Sequence, residues 1–425
     1  MNPVGKRYVI VGASAAGMAA AQTIRGCDPF GAITVLSAEA DAPYFRPMIP
    51  FIISRAKTDR QISLQGQGPY QASGIDLRLH TRAEKIEPAG QTISADTGEV
   101  IPYDRLLIAT GSTPYIPTDI EGCEADGVFA LRTIEDARRA SLRAGDIDHA
   151  VMLGGGLLNL KAAFALLERG LKVTLIVSSP EVLSQLMEPQ DAYLIRAALN
   201  NAGLEIRTGC IARKIVADSN GVSGLILDDG SEMACQMVCI GKGVRPNADF
   251  AVNAAIDVDG GVVVNPFTRT SVDHIYAAGD AAVTFDPITG DRMVTGLWTN
   301  AVEMGRCAGA NMAGRPTVYV GTFGILNATQ VARMPFVSMG IVHTAGSTYE
   351  IHTRSGAGFY RKLVFATGGD RLIGALFVGD IAGAGLYRLV IRERMAVDDI
   401  KRHLIDHKLH YGHLICRHIP DRAES

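Results

Sequence analysis

Tyr8–Gly17, YVIVGASAAG, decides how the rest of this 425-residue chain is read. A short apolar run ends at Gly12, Gly17 follows five residues later, and Met18-Ala-Ala-Ala-Gln-Thr-Ile continues as a small-residue helix pattern. That order is strand, tight turn, helix. Glycines let the backbone approach a pyrophosphate closely, and the helix N-terminus offers free N–H groups and the positive end of a dipole. The middle glycine of the usual pattern is Ser14, so the match is G-x-S-x-x-G, a modest departure because serine adds only a hydroxymethyl that can also donate. Chance produces glycine turns of this spacing. Lys6-Arg7, an apolar run and small residues also read as a signal peptide. Cleavage would discard the glycine turn, however, whereas the strand pattern at 32–36 completes a βαβ unit.

Composition sets outer bounds. The length predicts two or three domains with large cores. Hydrophobic residues make up 47% and charged residues 20%, ordinary for a globular chain, and the 46 glycines suit many βα turns. A net charge of −3, without clustered basic residues, argues against a nucleic-acid partner. No apolar run reaches the roughly 18 residues of a membrane span. Seven cysteines, at 27, 123, 210, 235, 239, 307 and 416, form no CxxC pair, and the expectation is a reduced, cytoplasmic chain with buried structural cysteines.

Past the first unit, Glu39 lies about twenty residues beyond the glycine turn, where an acid can bond the adenosine ribose; the other reading is a solvated loop residue. In Pro43-Tyr-Phe-Arg-Pro-Met-Ile-Pro-Phe, three prolines stiffen a loop whose one charge is Arg46. Arg46 is either an anchor beside a phosphate or electron-rich ring, or an ordinary surface ion pair. Strand patterns run from Ile75 to Ile93. Leu106–Ala109 reads as a buried strand entering a small-residue turn, Thr110-Gly111-Ser112, which permits close packing against a ligand or against the first glycine turn. A helix is predicted from near Thr133.

His149-Ala-Val-Met-Leu-Gly-Gly-Gly-Leu-Leu-Asn is a second strand and glycine turn, about 140 residues after the first. The spacing predicts a helix over Leu160–Arg169 and a strand over Lys172–Val177. Two such units in one chain are far more specific than either alone. Strand patterns follow between Leu204 and Asp228, with a turn at Asn220-Gly221, and Val238 to Ile240 is a buried strand running into Gly-Lys-Gly-Val-Arg-Pro-Asn. Thr270 to Ala282 is a strand that ends on Gly279 and Asp280, so the acid sits at a strand C-terminal end, where ligands bind in open α/β sheets. A helix is predicted over Asn300–Met312, then mixed strands and two helices. The tail from Arg402 carries five of the ten histidines. His403, His407, His410, His413, Cys416 and His418 could ligate a metal, but such polar histidine-rich ends more often dock on a partner, and no metal is assigned.

The order YVIVGASAAG, YFRP, RLLIATGSTP, VMLGGGLLN, GVRPN, TSVDHIYAAGDAA resembles the FAD-dependent pyridine nucleotide–disulfide oxidoreductase superfamily over residues 7 to 390. It is most similar to the single-flavin branch without a redox disulfide, which includes rubredoxin and ferredoxin reductases and the FAD part of NADH-dependent nitrite reductase. The resemblance implies an α/β chain with two Rossmann-like, three-layer domains and a C-terminal α+β interface domain. FAD would occupy 1–118 with 244–316, NAD(P) 119–243, and the interface domain 317–425. Gly12, Ser14, Ala15, Ala16 and Gly17 would line the FAD pyrophosphate, Glu39 the ribose, and Ala83 the adenine. Arg46, Pro47 and Trp298 would lie near the flavin. Ala109, Thr110 and Gly111 would be close by, with Gly279, Asp280 and Ala281 at the ribityl chain and pyrimidine edge.

Gly154, Gly155, Gly156, Leu157, Leu158, Val177 and Gly243 would form the NAD(P) site. That site departs from the family pattern. Asn159 replaces the last glycine and would crowd the helix–strand contact, Lys161 replaces a glutamate, and Val177 replaces the acid that selects NAD, with no base beside it for a 2′-phosphate. NAD(H) is expected slightly ahead of NADP(H). The resemblance further implies hydride exchange between nicotinamide and flavin and single-electron exchange with an iron–sulfur or rubredoxin-like partner. A larger redox complex, such as a molybdenum or tungsten dehydrogenase, is the other partner it allows. No protein acid or base is required, and no cysteine lies in Tyr44–Arg55, where disulfide members keep theirs. A homo-oligomer is possible through the last domain. The alternatives are a free-standing NAD(P)H oxidase and a flavin subunit whose NAD site is vestigial.

Overall fold

The computed structural model describes residues 5–64, 67–286, 290–321 and 326–415. It divides into two compact units, Met1–Leu153 with Ala165–Lys172 and Ala212–Thr322, and Gly154–Phe164 with Val173–Ile211 and Phe323–Ser425.

The first unit is built on five parallel strands in the order Ile275–Ala277, Arg105–Ile108, Arg7–Val11, Ala32–Leu36, Ile75–Arg78. Tyr8 to Val11 and Leu106 to Ile108 are buried continuously, as central parallel strands covered on both faces must be. Helix Ala15–Cys27 packs along helix Trp298–Met312. Their contact is backbone to backbone: a Cβ at Gly305 would lie 2.2 Å from the Ala16 carbonyl oxygen, and one at Gly309 would lie 2.6 Å from that of Ala20. The helix expected near Thr133 is Ile134–Arg143, and Thr133 and Asp136 form its capping box. Strands His149–Leu153, Met237–Ile240 and Val128–Phe129 add a further parallel group. The hairpin predicted at Asn220-Gly221 joins Ala212–Asp218 to Gly221–Leu227.

In the second unit, Lys172–Val177 pairs in parallel with Glu205–Thr208. Residues 326–415 form a five-stranded antiparallel sheet, in the order Asn327–Val331, Met334–Gly340, Leu372–Val378, Phe359–Phe365, Glu350–Gly356. Helices Ala384–Arg392, Lys401–Ile405 and the short Gly412–Ile415 follow, one more than expected.

Strand alternation sends Arg361 and Lys362 to opposite faces of this sheet, and both are buried. Lys362, only 2% exposed, bonds the carboxylates of Glu188 and Asp191. Glu188 also accepts from the Thr344 and Ala345 amides, each at 2.9 Å, and Asp191 accepts from the Tyr360 hydroxyl. Burial by itself would raise the pKa of Glu188. Lys362 and the Thr344 amide outweigh it and hold the carboxyl well below its ordinary 4.5. Because the folded value is the lower one, this contribution to stability is complete above the unfolded value and is lost as pH falls from 4.5 toward the folded value. Glu188→Gln is therefore expected to flatten the acid limb of melting temperature against pH below 4.5, measured by calorimetry. An acid limb identical to the parent's would remove this carboxylate from the account.

Candidate functional site

Gly12 ends strand Arg7–Val11 at φ +113°, and a Cβ there would lie 2.1 Å from the Ala109 carbonyl oxygen. The strand end at Ala109 and the start of the small-residue turn Thr110-Gly111-Ser112 therefore pack against the glycine turn, one of the two packings the sequence allowed. Ser14 needs no glycine, because its φ of −109° and ψ of −155° are extended. Its Oγ accepts from Arg46 Nε at 3.2 Å and does not cap the helix. Among the described residues no side chain caps that helix start and no acid lies in its first turn, so the N–H groups of the first turn and the dipole face a site suited to an anion. Ala15 and Ala16 are buried in that turn, and Gly17 takes no side chain: a Cβ would lie 1.8 Å from the Gly12 carbonyl oxygen.

Arg46 is not a surface ion pair. Its side chain is 20% exposed and it reaches four groups: the Glu39 carboxylate, the Tyr44 hydroxyl, Ser14 Oγ and the Arg132 carbonyl. Burial alone would lower its pKa, but Glu39 and Tyr44 beside it hold the guanidinium above its ordinary value. Tyr44 donates to Glu39 at 2.6 Å and accepts from the Ile134 amide, so the cation bridges the glycine turn, Glu39 and the start of helix Ile134–Arg143. Both Glu39 oxygens are engaged, one by Arg46 and one by Tyr44, yet each keeps a second lone pair for a hydroxyl. His80 and Thr81 donate their amides to the carbonyls of Glu39 and Ser37, which brings the start of strand Ala83–Glu87 beside Glu39. Phe45 meets Trp298 edge to face, with centroids 4.6 Å apart, so Trp298 joins the Phe45-Arg46-Pro47 stretch.

Asp280 lies in the Gly279–Ala281 turn after strand Ile275–Ala277 and accepts from Ser112 Oγ and Arg132 Nη2, each at 2.9 Å. Asn247, in the Gly-Val-Arg-Pro-Asn stretch, exchanges hydrogen bonds with Thr110 and accepts from Thr113. No role was assigned from the sequence to Arg132, Tyr44, Ser112 or Asn247, although Ser112 lies in the small-residue turn, Tyr44 in YFRP and Asn247 in GVRPN, and the Thr133–Asp136 capping box fixes the helix start beside Arg132.

A family model described as pyridine nucleotide-disulphide oxidoreductase matches residues 6–305. The chain belongs to that family. It is 31% identical over 310 residues to rubredoxin–NAD(+) reductase of Pseudomonas putida, covering 73% of this chain and 80% of that protein. It is 27% identical over 410 residues to the epsilon subunit of NADH-dependent phenylglyoxylate dehydrogenase of Aromatoleum evansii, covering 96% of each. The structure of a NAD-dependent persulfide reductase from A. fulgidus superposes with a TM-score of 0.86 at 26% identity, over 93% of this chain and 78% of that one. The protein is an oxidoreductase, and FAD and NAD(P)H are the cofactors its family implies. The uncapped helix start and the side-chain-free turn at Gly12 and Gly17 fit an FAD pyrophosphate.

The family's second glycine turn lies in the second unit. Gly154 sits at φ +104°, Gly155 is backed by Val177 and Val182, and a Cβ at Gly156 would meet nothing within 4 Å. Helix Leu157–Leu167 starts three residues earlier than expected, so Leu157 and Leu158 form its first turn. Asn159 does not crowd the turn: it is 4% exposed and its Nδ2 donates to the Gly154 carbonyl at 2.7 Å. Lys161 is half-buried, and burial lowers its pKa. Val177 is buried at its strand end. Arg196 bonds the Pro180 carbonyl at 3.3 Å while pairing with Glu181 at 2.9 Å. Gly243, in the first unit, accepts from the Tyr115 amide at its carbonyl.

Of the six cysteines described, all are free. Cys235, Cys239 and Cys307 are buried, with thiols pushed up by burial to about 11, 12 and 11. Cys27, at the end of the first helix, Cys123 and Cys210 are only partly buried, which corrects the expectation for those three. Among the described residues no group of three ligating side chains is arranged to hold a metal, although the His413 ring stacks on His403 and lies tilted against His410. Cys416 and His418 lie outside the described residues. Among the described residues no helix is long and apolar enough to cross a membrane.

Proposed function

We propose that the chain is an electron-transfer subunit that takes hydride from NAD(P)H, with NAD ahead of NADP. It passes single electrons to an iron–sulfur or rubredoxin-like protein, or to a larger oxidoreductase complex such as a molybdenum or tungsten dehydrogenase. The observation that carries this reading is the absence of any cysteine in Tyr44–Arg55, beside Arg46 and Trp298, so no thiol relay stands between flavin and acceptor. The two relatives named above support it, one a rubredoxin reductase and the other a dehydrogenase subunit matched almost end to end.

The flavin, when bound, supplies interconversion of two-electron and one-electron transfer. The chain's own residues bind and orient. The Gly12–Gly17 turn receives the pyrophosphate, Glu39 the ribose, and the Ser112–Asp280–Arg132 group fixes the turn that meets the ribityl chain. Arg46 keeps the Pro47 loop and the glycine turn in one arrangement, and Phe45 and Trp298 present a rigid apolar edge beside it. We assign FAD to 1–118 with 244–316, NAD(P) to 119–243 and the interface to 317–425.

Anaerobic titration of the flavin-loaded protein tests this. NADH should bleach the visible band at a lower concentration than NADPH, and an added oxidised rubredoxin or ferredoxin should restore it. Val177, standing where the family keeps the acid that selects NAD, favours one rival, a flavin subunit fed wholly by its partner. Its signature is bound flavin that neither nucleotide bleaches, and that result would sink the reductase reading.

A further inference from the structure

Leu183 has φ +53°, a conformation that a residue with a branched side chain adopts only when its surroundings over-determine it. It lies in the stretch that follows strand Lys172–Val177. Its amide donates to the Gly155 carbonyl at 3.1 Å, directly onto the second glycine turn. Val182 lies against the same glycine: a Cβ at Gly155 would meet the Val182 Cα at 3.3 Å. Leu186 and Met187 then bond back to the Leu183 carbonyl at 2.7 and 3.1 Å, and all four of these residues are buried. The stretch therefore reaches Glu188 as one tight turn.

At Glu188 the turn is fastened. The Glu188 carboxylate takes the Thr344 amide, the Ala345 amide, the Thr344 hydroxyl and the Lys362 ammonium. Three residues on, Asp191 takes Lys362 at 3.1 Å, the Tyr360 hydroxyl and the Glu188 amide at 3.2 Å. Two buried acids thus share one buried lysine. Hydrophobic side chains of similar volume would commonly give equal stability, so the ionic cluster is better understood as fixing a unique geometry than as a source of stability. The site it fixes is five residues from the strained Leu183.

We infer that Lys362 is a positioning residue for the nicotinamide nucleotide. Through Glu188 and Asp191 it holds the 182–191 stretch in the one arrangement that keeps the Leu183 amide on Gly155, and so sets the shape of the second glycine turn. This rests on the proposal that the turn binds NAD(P). It makes the affinity of the nucleotide site depend on a residue of the C-terminal sheet, about 200 positions away in sequence.

The test uses the full, flavin-loaded chain and the variants Lys362→Met and Glu188→Gln. The second is isosteric and keeps an acceptor for the Thr344 and Ala345 amides, which guards against simple misfolding. NAD⁺ affinity is measured by titration calorimetry, and hydrogen exchange is followed at the Leu183 amide. The expected result is an unchanged flavin spectrum, NAD⁺ binding weakened about tenfold, and faster Leu183 exchange in both variants. A fall in melting temperature with NAD⁺ affinity within about twofold of the parent means the cluster is only structural, and overturns the inference. If the parent itself binds neither NAD⁺ nor NADP⁺, the reading of the site fails and the affinity claim with it. Tight binding by the parent with unmoved variants overturns this inference alone.

Discussion

Gly12→Ala is expected to yield a colourless protein. The substituted Cβ would sit 2.1 Å from the Ala109 carbonyl oxygen, and the residue would have to hold φ +113°, a backbone conformation closed to alanine. Neither neighbour can give way cheaply. Strand Arg105–Ile108, which leads into Ala109, is hydrogen-bonded on both sides, to Arg7–Val11 and to Ile275–Ala277. The turn must open, and with it the close backbone approach on which pyrophosphate binding depends. The measurement is the ratio of visible flavin absorbance to protein absorbance after purification, followed by reconstitution with excess FAD. The control is Ser14→Gly. Ser14 is extended, so glycine fits there and only the bond from Arg46 is lost; this variant should stay yellow. A yellow Gly12→Ala protein with parental flavin content would show that the turn does not hold the cofactor.

Arg46→Met is the second large effect. The substitution removes the cation from a side-chain cluster in which Glu39 is 27% exposed and Tyr44 is buried, and leaves Ser14 Oγ and the Arg132 carbonyl without their donor. Hydrogen bonds to charged groups are worth about 1.5–3 kcal/mol each. Partial exposure of Glu39 argues for a net loss of about 3 kcal/mol from the arrangement that joins the glycine turn to the Pro47 loop, which sets an upper bound of roughly a hundredfold on the expected loss of flavin affinity. Release of FAD on dilution, read from recovery of its fluorescence, gives the dissociation constant directly. Glu39→Gln combined with Arg46→Met should recover part of the loss, because no carboxylate is then left without its partner. A single variant that keeps parental affinity would reduce Arg46 to a surface residue, contrary to the four bonds it makes.

Much of the candidate site was legible because it is local. Gly12, Ser14 and Gly17 lie within six positions, and backbone sterics alone force a turn there. A helix start was read near Thr133, and Asp280 was placed at a strand end by the apolar run before it. The second glycine turn was equally visible, and its departures at Asn159 and Val177 could be read as substitutions. Their consequence could not: whether Asn159 crowds the turn or staples it depends on its rotamer, and the structure has it bonded to Gly154.

What the sequence determined by itself was the number and order of the glycine turns, and through them the family. Those features rest on spacing along the chain, which folding does not change. Only the tertiary structure decided which charges meet. Arg132 reaches Asp280 across 148 positions and Lys362 reaches Glu188 across 174, and neither lysine nor arginine carries any local mark of burial. Tyr360-Arg361-Lys362 puts a phenol and two cations in succession. It is buried because strand alternation splits it between two covered faces, and because Asp380 pairs with Arg361, and Glu188 and Asp191 with Lys362, as the charges leave water, although the buried Arg361 Nε makes no bond among the described residues.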